Sequence, residues 1–437
     1  MFKYYKYRLY PTDEQKLMFA KTFGCSRFIY NKIKGDYEAT YGEEQRKFRT
    51  PASYKDEFDW LREVDCQALC NEQLHVQKAF KRFREEVFPK LKNEKDIKKK
   101  YKKRAVKAYN KNKNYQFKIS DIKGYPNFHS KKNDKQSYTT NNINNNIRFV
   151  KNGIRFPKIG IVNAVLHRYC YGKLKSVTIS VNSSGEYYAS VLVELPDIEI
   201  QKIQEEKVCG ADMSYKELTV YSDGTKAKYP KYYRKSEKKL KREQRKLSKK
   251  TFNSNNWNKQ RIKVAKTHRH IANQRLDFQH NEANKLLQKY NIVVVEDINM
   301  QQLANRKRHG GKSVNDIAFG QFHRILEYKL NQIGGKLIKA DKFYPSSQLC
   351  HVCGYKNTET KDLSIRKWTC PNCHTQHDRD VNAAINLKNY YSTIATMEGA
   401  IEKSIDIKAC GEGVRPIMAV FDESGKVVVQ DMTSSLL

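Results

Sequence analysis

The sequence of 437 residues lacks any long apolar run. Its longest purely aliphatic stretch, Ile292 to Val295, is far shorter than the roughly 20 apolar residues that cross a bilayer. The first residues, Met1 to Lys6, contain no apolar segment of the kind that directs export. We therefore expect a cytoplasmic protein without a membrane partner.

Acidic residues are scarce relative to basic ones. The chain has 47 Asp and Glu against 84 Lys and Arg, which gives a formal net charge of +37. A positive field of this size holds a protein on a polyanion, and the binding weakens as salt is added. The charge favours a nucleic acid as the partner, with a ribosomal or membrane-surface protein as the alternatives that composition leaves open.

The ten cysteines do not indicate a disulfide framework in a chain of this length, and four of them form two close pairs. Cys350 and Cys353 are one CxxC pair, and Cys370 and Cys373, after sixteen intervening residues, are the other. Two such pairs supply the four sulfurs of a tetrahedral Zn²⁺ site, which leaves no open position for catalysis. The spacing predicts a structural zinc ribbon, with redox thiols or chance spacing as alternatives.

The hydrophobic pattern indicates a multidomain α/β protein, because 437 residues exceed one ordinary core. Residues 2–9 are typical of a basic strand, and Thr12 with Gln15 predicts a helix start, with helical patterning to about residue 90. Strands are predicted between residues 147 and 195, including a hairpin at Asn152-Gly153. If the first strand joins them, the helical block is an insertion in a β-rich domain.

Three carboxylates follow predicted elements of the second half. Asp212 lies in a strand that leads into a hairpin, Glu296 ends the aliphatic strand, and Asp380 lies at the start of a helix. Such elements can present acids together at one edge of a sheet, where they could hold the two Mg²⁺ ions, about 3.5–4 Å apart, of two-metal phosphodiester cleavage. Each acid alone has an ordinary alternative: a turn, a rim charge or a helix cap.

The three acids and the four cysteines stand within longer motifs, and two further motifs lie in the N-terminal half. The motifs are Trp60 to Val64, Ala79 to Phe83, Gly210-Ala211-Asp212-Met213-Ser214, Val293 to Asn299, Phe343 to Cys350, Trp368 to Cys373 and Asp378 to Asn386. In this order they resemble the TnpB family, the nucleases carried by bacterial insertion sequences and related to type V CRISPR effectors. The resemblance covers nearly the whole chain, more loosely from about 90 to 200, and departs at Met213-Ser214, where many relatives have Leu-Gly.

The resemblance implies an RNase H-like (RuvC) nuclease core with an inserted zinc ribbon, plus an N-terminal β-barrel-like wedge domain that carries a helical recognition insertion. The implied divisions are a wedge domain at 1–10 and 121–205, a recognition domain at 11–120, a nuclease domain at 206–342 and 379–400, a zinc-ribbon target-nucleic-acid-binding domain at 343–378, and a tail at 401–437.

The same resemblance implies residue roles. Asp212, Glu296 and Asp380 would be the Mg²⁺ ligands and catalytic acids; Asp380 is chosen over Asp378 because the last motif of the family reads Asp-x-Asn-Ala. Arg379 would contact the scissile phosphate. Candidates for reading a short DNA motif beside the target are Ser53, Tyr54, Gln67 and Asn71.

The implied function is an RNA-guided, Mg²⁺-dependent endonuclease that cuts double-stranded DNA next to a short flanking motif, in the prokaryotic cytoplasm with the nucleoid. Guide RNA and target DNA would be its partners, with basic stretches at 92–118 and 234–275 following their backbones. A compact type V CRISPR effector and an RNA-guided repressor that does not cut are the alternatives. Whether one or two copies bind a guide stays open, with a monomer favoured.

Overall fold

The computed structural model describes residues 2–40, 47–87, 89, 101–116, 118–132, 136–196, 205–214, 217–298, 311–362, 364–408, 417–421 and 427–431. It has two compact units, Met1–Ile198 and Glu199–Leu437. The predicted α/β class is confirmed, and the finer division into domains stays a prediction. Residues 92–100 and Phe117 of the first basic stretch and Asn299 of the second acidic motif lie outside the described residues.

The first unit contains an open antiparallel sheet of seven strands in the order β2-β6-β7-β1-β5-β4-β3. The N-terminal strand lies between β7 and β5, as the sequence predicted, and the Asn152-Gly153 hairpin joins β3 to β4. The strands are β1 Phe2–Tyr10, β2 Gln136–Asn141, β3 Arg148–Val150, β4 Gly153–Phe156, β5 Gly160–Val165, β6 Lys173–Val181 and β7 Tyr187–Glu194.

A helical block lies between β1 and β2 in the chain. Its α-helices are α1 Asp13–Ala39, α2 Cys66–Arg82 and α3 Lys103–Lys111. Thr12 and Gln15 form the predicted capping box at the start of α1. The helical pattern is not continuous to residue 90, because Pro51 begins one of two short 3₁₀ turns between α1 and α2.

The second unit is built on a mixed four-stranded sheet in the order β11-β10-β8-β9. Strand β10 is parallel to both β8 and β11, whereas β9 pairs antiparallel with β8. Strand β10 is apolar without alternation because Ile292 to Val295 are all buried. The strands are β8 Val208–Met213, β9 Thr219–Tyr221, β10 Ile292–Glu296 and β11 Lys336–Ala340.

Helices pack on this sheet and extend from it. They are α4 Tyr232–Ser248, α5 Asn255–Leu287, α6 Gly311–Ile317, α7 Phe319–Gln332 and α8 Arg379–Lys408. Helix α8 packs so closely on β8 that a Cβ added to Gly210 would lie 1.8 Å from the Ala384 carbonyl oxygen. This contact explains the glycine two residues before Asp212, since only glycine permits such an approach.

Two small antiparallel pairs complete the described chain. The ribbon segment contains β12 Lys367–Thr369 and β13 Gln376–Asp378. The tail contains β14 Ile417–Phe421 and β15 Val427–Asp431. Among the described residues, no helix is long and apolar enough to cross a membrane.

Candidate active site and metal centre

The strand register brings two of the predicted acids side by side. In the parallel pairing of β8 with β10, Ala211 lies opposite Val295, so the next residues along the two strands are Asp212 and Glu296. Neighbouring strands are about 4.8 Å apart. The Asp212 side chain is buried, and Glu296 lies at the strand end as predicted.

Burial and mutual repulsion dominate the electrostatics of this pair. The pKa of Asp212 is raised well above its usual value by burial, then by the negative charges of Glu296 and Asp380, against an opposing effect of Arg379. Burial also raises the pKa of Glu296, although the Ser346 hydroxyl donates a hydrogen bond to it. The site therefore holds more negative charge than its own cations balance, and oxygen-rich sites of this kind suit a divalent cation.

Asp380 and Asp378 have different surroundings at the start of α8. Asp378 Oδ1 accepts hydrogen bonds from the backbone N–H groups of Asp380, at 3.0 Å, and Val381, at 3.3 Å. Its Oδ2 lies 3.5 Å from Lys226 Nζ. Asp378 thus caps the helix, while the charge of Asp380 acts on Asp212.

Two arginines adjoin the acids, and sequence reasoning identified one of them. The predicted Arg379 is buried and donates from Nη1 to the Asp362 carbonyl oxygen at 2.8 Å. Arg366, which was missed, places Nη1 3.0 Å from Asp380 Oδ1. The backbone N–H of Arg379 donates to the Arg366 carbonyl oxygen at 2.8 Å, and this hydrogen bond fixes the backbones of the two arginines next to each other.

Two asparagines of α8, also missed, hold the start of the ribbon. Asn382 Nδ2 donates to the Leu349 carbonyl oxygen at 2.6 Å, and Asn386 Nδ2 donates to those of Ser346 and Leu349 at 2.8 and 2.7 Å. Ser346 in turn donates to Glu296. The signal was present, because residues four apart share one helix face, and both asparagines belong to the last motif.

The four predicted cysteines form one cluster. Their sulfurs all lie within 4.8 Å of one another, and it is the one group of this kind among the described residues. Cys350 Sγ is 3.6 Å from Cys373 Sγ, and Cys353 Sγ is 3.5 Å from Cys370 Sγ. Zn–S bonds of about 2.3 Å in a tetrahedron require sulfurs about 3.8 Å apart, so the cluster could bind zinc.

Each half of the cluster has a knuckle turn closed by a residue with positive φ. Gly354 (φ 74°) donates its N–H to the Cys350 carbonyl oxygen, and His374 (φ 56°) donates to that of Cys370. A hydrogen bond from the Asn372 side chain is the main reason that the pKa of the Cys353 thiol falls to about 6. This favours the thiolate, the form that binds metal.

The flanking-motif candidates divide into two groups. Tyr54 is fully buried with its hydroxyl donated to Asp36, and buried Asn71 donates to the Gln67 and Thr139 carbonyl oxygens. Both side chains are engaged inside the first unit, so reading DNA with either would require breaking these contacts, and the two assignments stay predictions.

The other two candidates are accessible. Ser53 is exposed. Gln67 lines an open cavity of about 560 Å³ together with Lys55, Arg62, Asn146 and Lys158. Ser53 and Gln67 therefore stay as predictions. Gln67 is the better placed to contact the edge of a DNA base, because basic side chains that can bind phosphates line the same cavity.

Three family models match successive parts of the chain. Residues 1–46 match a "Helix-turn-helix domain" of OrfB_IS605 proteins, residues 190–307 match the OrfB_IS605 "Probable transposase" model, and residues 319–387 match the "Cas12f1-like, TNB domain". Although the first is named for a helix-turn-helix, residues 2–39 here form strand β1 and the long helix α1. The third match includes all four ribbon cysteines and Asp380.

Curated relatives match over nearly the full length. A Streptomyces pristinaespiralis protein named "Putative RNA-guided DNA endonuclease" is 29% identical over 94% of this chain and 92% of its own. The Escherichia coli K12 protein "Putative RNA-guided DNA endonuclease InsQ" is 26% identical over 88% and 90%. A chain of the solved structure "Cryo-EM structure of the Cas12f1-sgRNA-target DNA complex" matches 89% of this chain and 98% of its own length. At 13% identity and a TM-score of 0.45, this likeness is too remote to add to the sequence matches. Together, the family models and the full-length relatives support assignment of this chain to the TnpB family.

Proposed function

We propose that this protein is an RNA-guided DNA endonuclease that hydrolyses a phosphodiester bond at the Asp212, Glu296 and Asp380 site. One observation carries the proposal: buried Asp212 and half-buried Glu296 lie side by side on adjacent parallel strands, and the charge of Asp380 at a helix start acts on Asp212. Folded proteins do not bury like charges without a partner, and sites of this kind are frequently functional. The names of the full-length relatives supply the reaction.

The sheet of the second unit supports an RNase H-like (RuvC) core. Its mixed pairing, with β9 antiparallel to β8 and then β10 and β11 parallel, leaves Asp212 and Glu296 at neighbouring positions. Helix α8 crosses β8 at Gly210 and delivers Asp380 to the same region. The ribbon segment lies immediately before that helix in the chain, as an insertion between β11 and α8.

The donor set fits Mg²⁺, since hard divalent cations prefer carboxylate oxygens. Asp212, Glu296 and Asp380 would hold the metal, and a bound Mg²⁺ pair would supply an activated water and neutralise charge on the phosphate. Ser346, which donates a hydrogen bond to Glu296, would hold that carboxylate in place.

Arg366 and Arg379 are the cations next to this site. Arg366 is half-exposed on its contact with Asp380, so its guanidinium can turn toward a phosphate in the open site. Arg379 is held by the Asp362 carbonyl oxygen and acts on the acids through its charge. We assign to Arg366 the phosphate contact that the family resemblance implied for Arg379, and to Arg379 the positioning of the helix start.

The four cysteines would hold a structural Zn²⁺. Four thiolates fill a tetrahedral shell and leave no position for a substrate. His377 Nε2 lies 3.1 Å from Cys350 Sγ, a contact that can orient the ligand and stabilise its charge. Because Asn382 and Asn386 bind the chain just before Cys350, the folded ribbon fixes the position of Ser346 and Arg366 beside the acids.

Guide RNA and target DNA are the proposed partners. The net charge of +37 suits two polyanions, and the accessible cavity at Gln67, with Lys55, Arg62 and Lys158, suits the DNA beside the target. In RNA-guided recognition the protein reads a short motif and helix shape, while base pairing reads the sequence. The wedge and recognition domains of the sequence prediction would perform that reading.

The test is cleavage by protein purified with its co-expressed RNA. Sequencing that RNA should give one discrete scaffold, and DNA that matches its guide segment should be cut only with Mg²⁺. Asp212→Ala should abolish cutting and keep the RNA, whereas Asp277→Ala, which removes an exposed acid on α5, should cut normally. A heterogeneous RNA smear would refute the guided part, and undiminished cutting by Asp212→Ala would refute the assigned site.

A further inference from the structure

An exposed aromatic ring stands at the tip of the α4–α5 helical hairpin. The Phe252 side chain is 79% exposed in the connection between the two helices. Its ring meets the ring of Trp257 edge to face, with centroids 4.9 Å apart and planes at 62°. Trp257 therefore supports the phenyl ring from one side, and most of the ring stays open to solvent.

Hydrogen bonds fix the connection that presents this ring. Ser254 caps α5 by accepting from the Trp257 N–H at 3.1 Å, and Asn253 takes a left-handed φ of 64°. One turn further from the tip, buried Gln260 Nε2 of α5 donates to the carbonyl and side chain of Glu243 on α4, at 3.1 and 2.8 Å. The aromatic tip is thus held in one arrangement, which lowers the entropy cost of binding.

A continuous basic stripe leads to the tip along α4. Six cations at helical spacing line one shallow depression of about 460 Å³: Lys238, Lys241, Arg242, Arg245, Lys246 and Lys249. The stripe is about 16 Å long at 1.5 Å per residue. Glu243 is the only acid in the sequence from 238 to 276. Its buried side chain accepts from Gln260 and also lies 3.3 Å from Arg242 and 3.9 Å from Lys246, so it offsets part of the charge in the middle of the stripe.

A lone exposed aromatic needs no explanation by itself, but its surroundings limit what could cover it. A second copy would bring the same cations against these and be repelled. A lipid surface would require a broader apolar face than one ring provides. Single-stranded nucleic acid fits both features, because phosphates pair with cations along a groove and bases stack on aromatic side chains.

We propose that the α4–α5 hairpin binds an unpaired stretch of nucleic acid, with a base stacked on Phe252 and the adjoining phosphates on the stripe that ends at Arg245 and Lys249. This inference deepens the proposed function by giving one contact surface for a strand that is not base-paired. The hairpin lies apart in the sequence from the acids at 212, 296 and 380, and its proposed contacts use no metal ion. Binding of a strand to the hairpin can therefore be measured without cleavage.

Direct contact is tested by crosslinking the full-length protein to 12-nucleotide single strands that carry one 5-iodouracil, in separate RNA and DNA arms. Mass spectrometry should find the crosslink on the peptide that contains Phe252 and Trp257. The arm that crosslinks better identifies the strand. A crosslink pattern that leaves this peptide out in both arms overturns the proposal.

The energetic test compares variants by fluorescence anisotropy over a series of salt concentrations. Phe252→Ala should weaken binding about tenfold, within the range of one stacked base, with an unchanged salt slope. Phe252→Tyr should bind like wild type, and Arg245→Gln should reduce the slope by about one unit. Leu276→Ala, which truncates an exposed apolar residue elsewhere on α5, is the control and should change nothing.

Equal affinity of Phe252→Ala and wild type, with matching melting temperatures, would refute the stacking role. The assay can be repeated on Asp212→Ala protein in magnesium-free buffer. A normal crosslink there with no cleavage by wild type would contradict the proposed enzyme activity alone, whereas normal cleavage without the crosslink would contradict this inference alone.

Discussion

Arg366 of the ribbon segment contacts Asp380 at the start of α8, with Nη1 3.0 Å from Oδ1 and 3.3 Å from Oδ2. The two residues are fourteen positions apart, and both β12 and β13 lie between them in the chain. The proposed nuclease site is therefore completed by a residue that depends on the folded ribbon. If the proposed site is correct, this contact gives the ribbon a part in the chemistry as well as in the structure.

Replacing Arg366 should impair cutting more than stability. We expect Arg366→Gln to lower the single-turnover cleavage rate by about 100-fold, since one preorganised charge at a reacting group contributes about that much. The half-exposed ion pair itself should add at most about 1 kcal/mol to stability. The measurement is the cleavage rate of guide-loaded protein at saturating Mg²⁺, with thermal melting alongside.

Lys367→Gln is the matched control for that variant. It removes one positive charge from the neighbouring, exposed position of β12 and should cut within about twofold of wild type. If both variants lose activity equally, the effect is one of general charge. A normal rate for Arg366→Gln would remove Arg366 from the proposed site.

The raised pKa of Asp212 predicts how the metal-free protein responds to pH. Because the folded-state pKa exceeds the unfolded one, the carboxyl favours folding while it is protonated, and that contribution is lost as pH rises through the folded-state value. Asp212→Asn removes the buried charge. We expect it to raise the free energy of unfolding by about 1–3 kcal/mol at pH 7.5, and by almost nothing near pH 4.

Thermal melting in magnesium-free buffer from pH 4 to 8 measures this difference. Added Mg²⁺ should stabilise wild type by mass action and narrow the gap to Asp212→Asn, which binds the ion more weakly. Asp277→Asn, at an exposed position, is the control and should track wild type at every pH. A variant that is less stable than wild type at pH 7.5 would show that the carboxylate is compensated in the folded protein.

The elements that carry the acids could be predicted because their signals are local. The run from Ile292 to Val295 indicates a buried strand, and the start of α8 follows from its own motif. The contacts of Arg366 and the burial of Tyr54 could not be predicted in this way. Both depend on tertiary contacts between residues that are separated in the sequence, Arg366 with Asp380 and Tyr54 with Asp36. The charge or polarity of a residue does not indicate which distant residue it will contact.

Zinc loss should disorder the ribbon and weaken the acid site with it. We expect Cys353→Ser to release the metal and to slow cutting at least as much as Arg366→Gln, because Ser346 and Arg366 lose their fixed positions. Metal content by mass spectrometry and the cleavage rate are the two measurements. Cys66→Ser, at an exposed cysteine outside the cluster, is the control. Full activity of zinc-free protein would separate the ribbon from catalysis.

Gln67 should influence which flanking DNA is accepted. It lines the cavity with Lys55 and Lys158, and a side-chain amide can pair with a base edge, a contact worth about 1–3 kcal/mol of discrimination. Gln67→Ala should therefore relax the preference at one flanking position by roughly tenfold in a cleavage screen of randomised flanks. Lys55→Gln should instead weaken binding to all flanks alike, because a phosphate contact carries no sequence information.

Tyr54 and Asn71 provide the contrasting variants in that screen. Tyr54→Phe removes only the hydroxyl bonded to Asp36, and Asn71→Ala removes two donors to backbone carbonyls, so both should lower the melting temperature and leave the flanking preference unchanged. An altered preference in either variant, together with none in Gln67→Ala, would assign recognition to the buried residues. Since their donors are already satisfied inside the first unit, the cavity at Gln67 is the better candidate for the surface that reads a base edge.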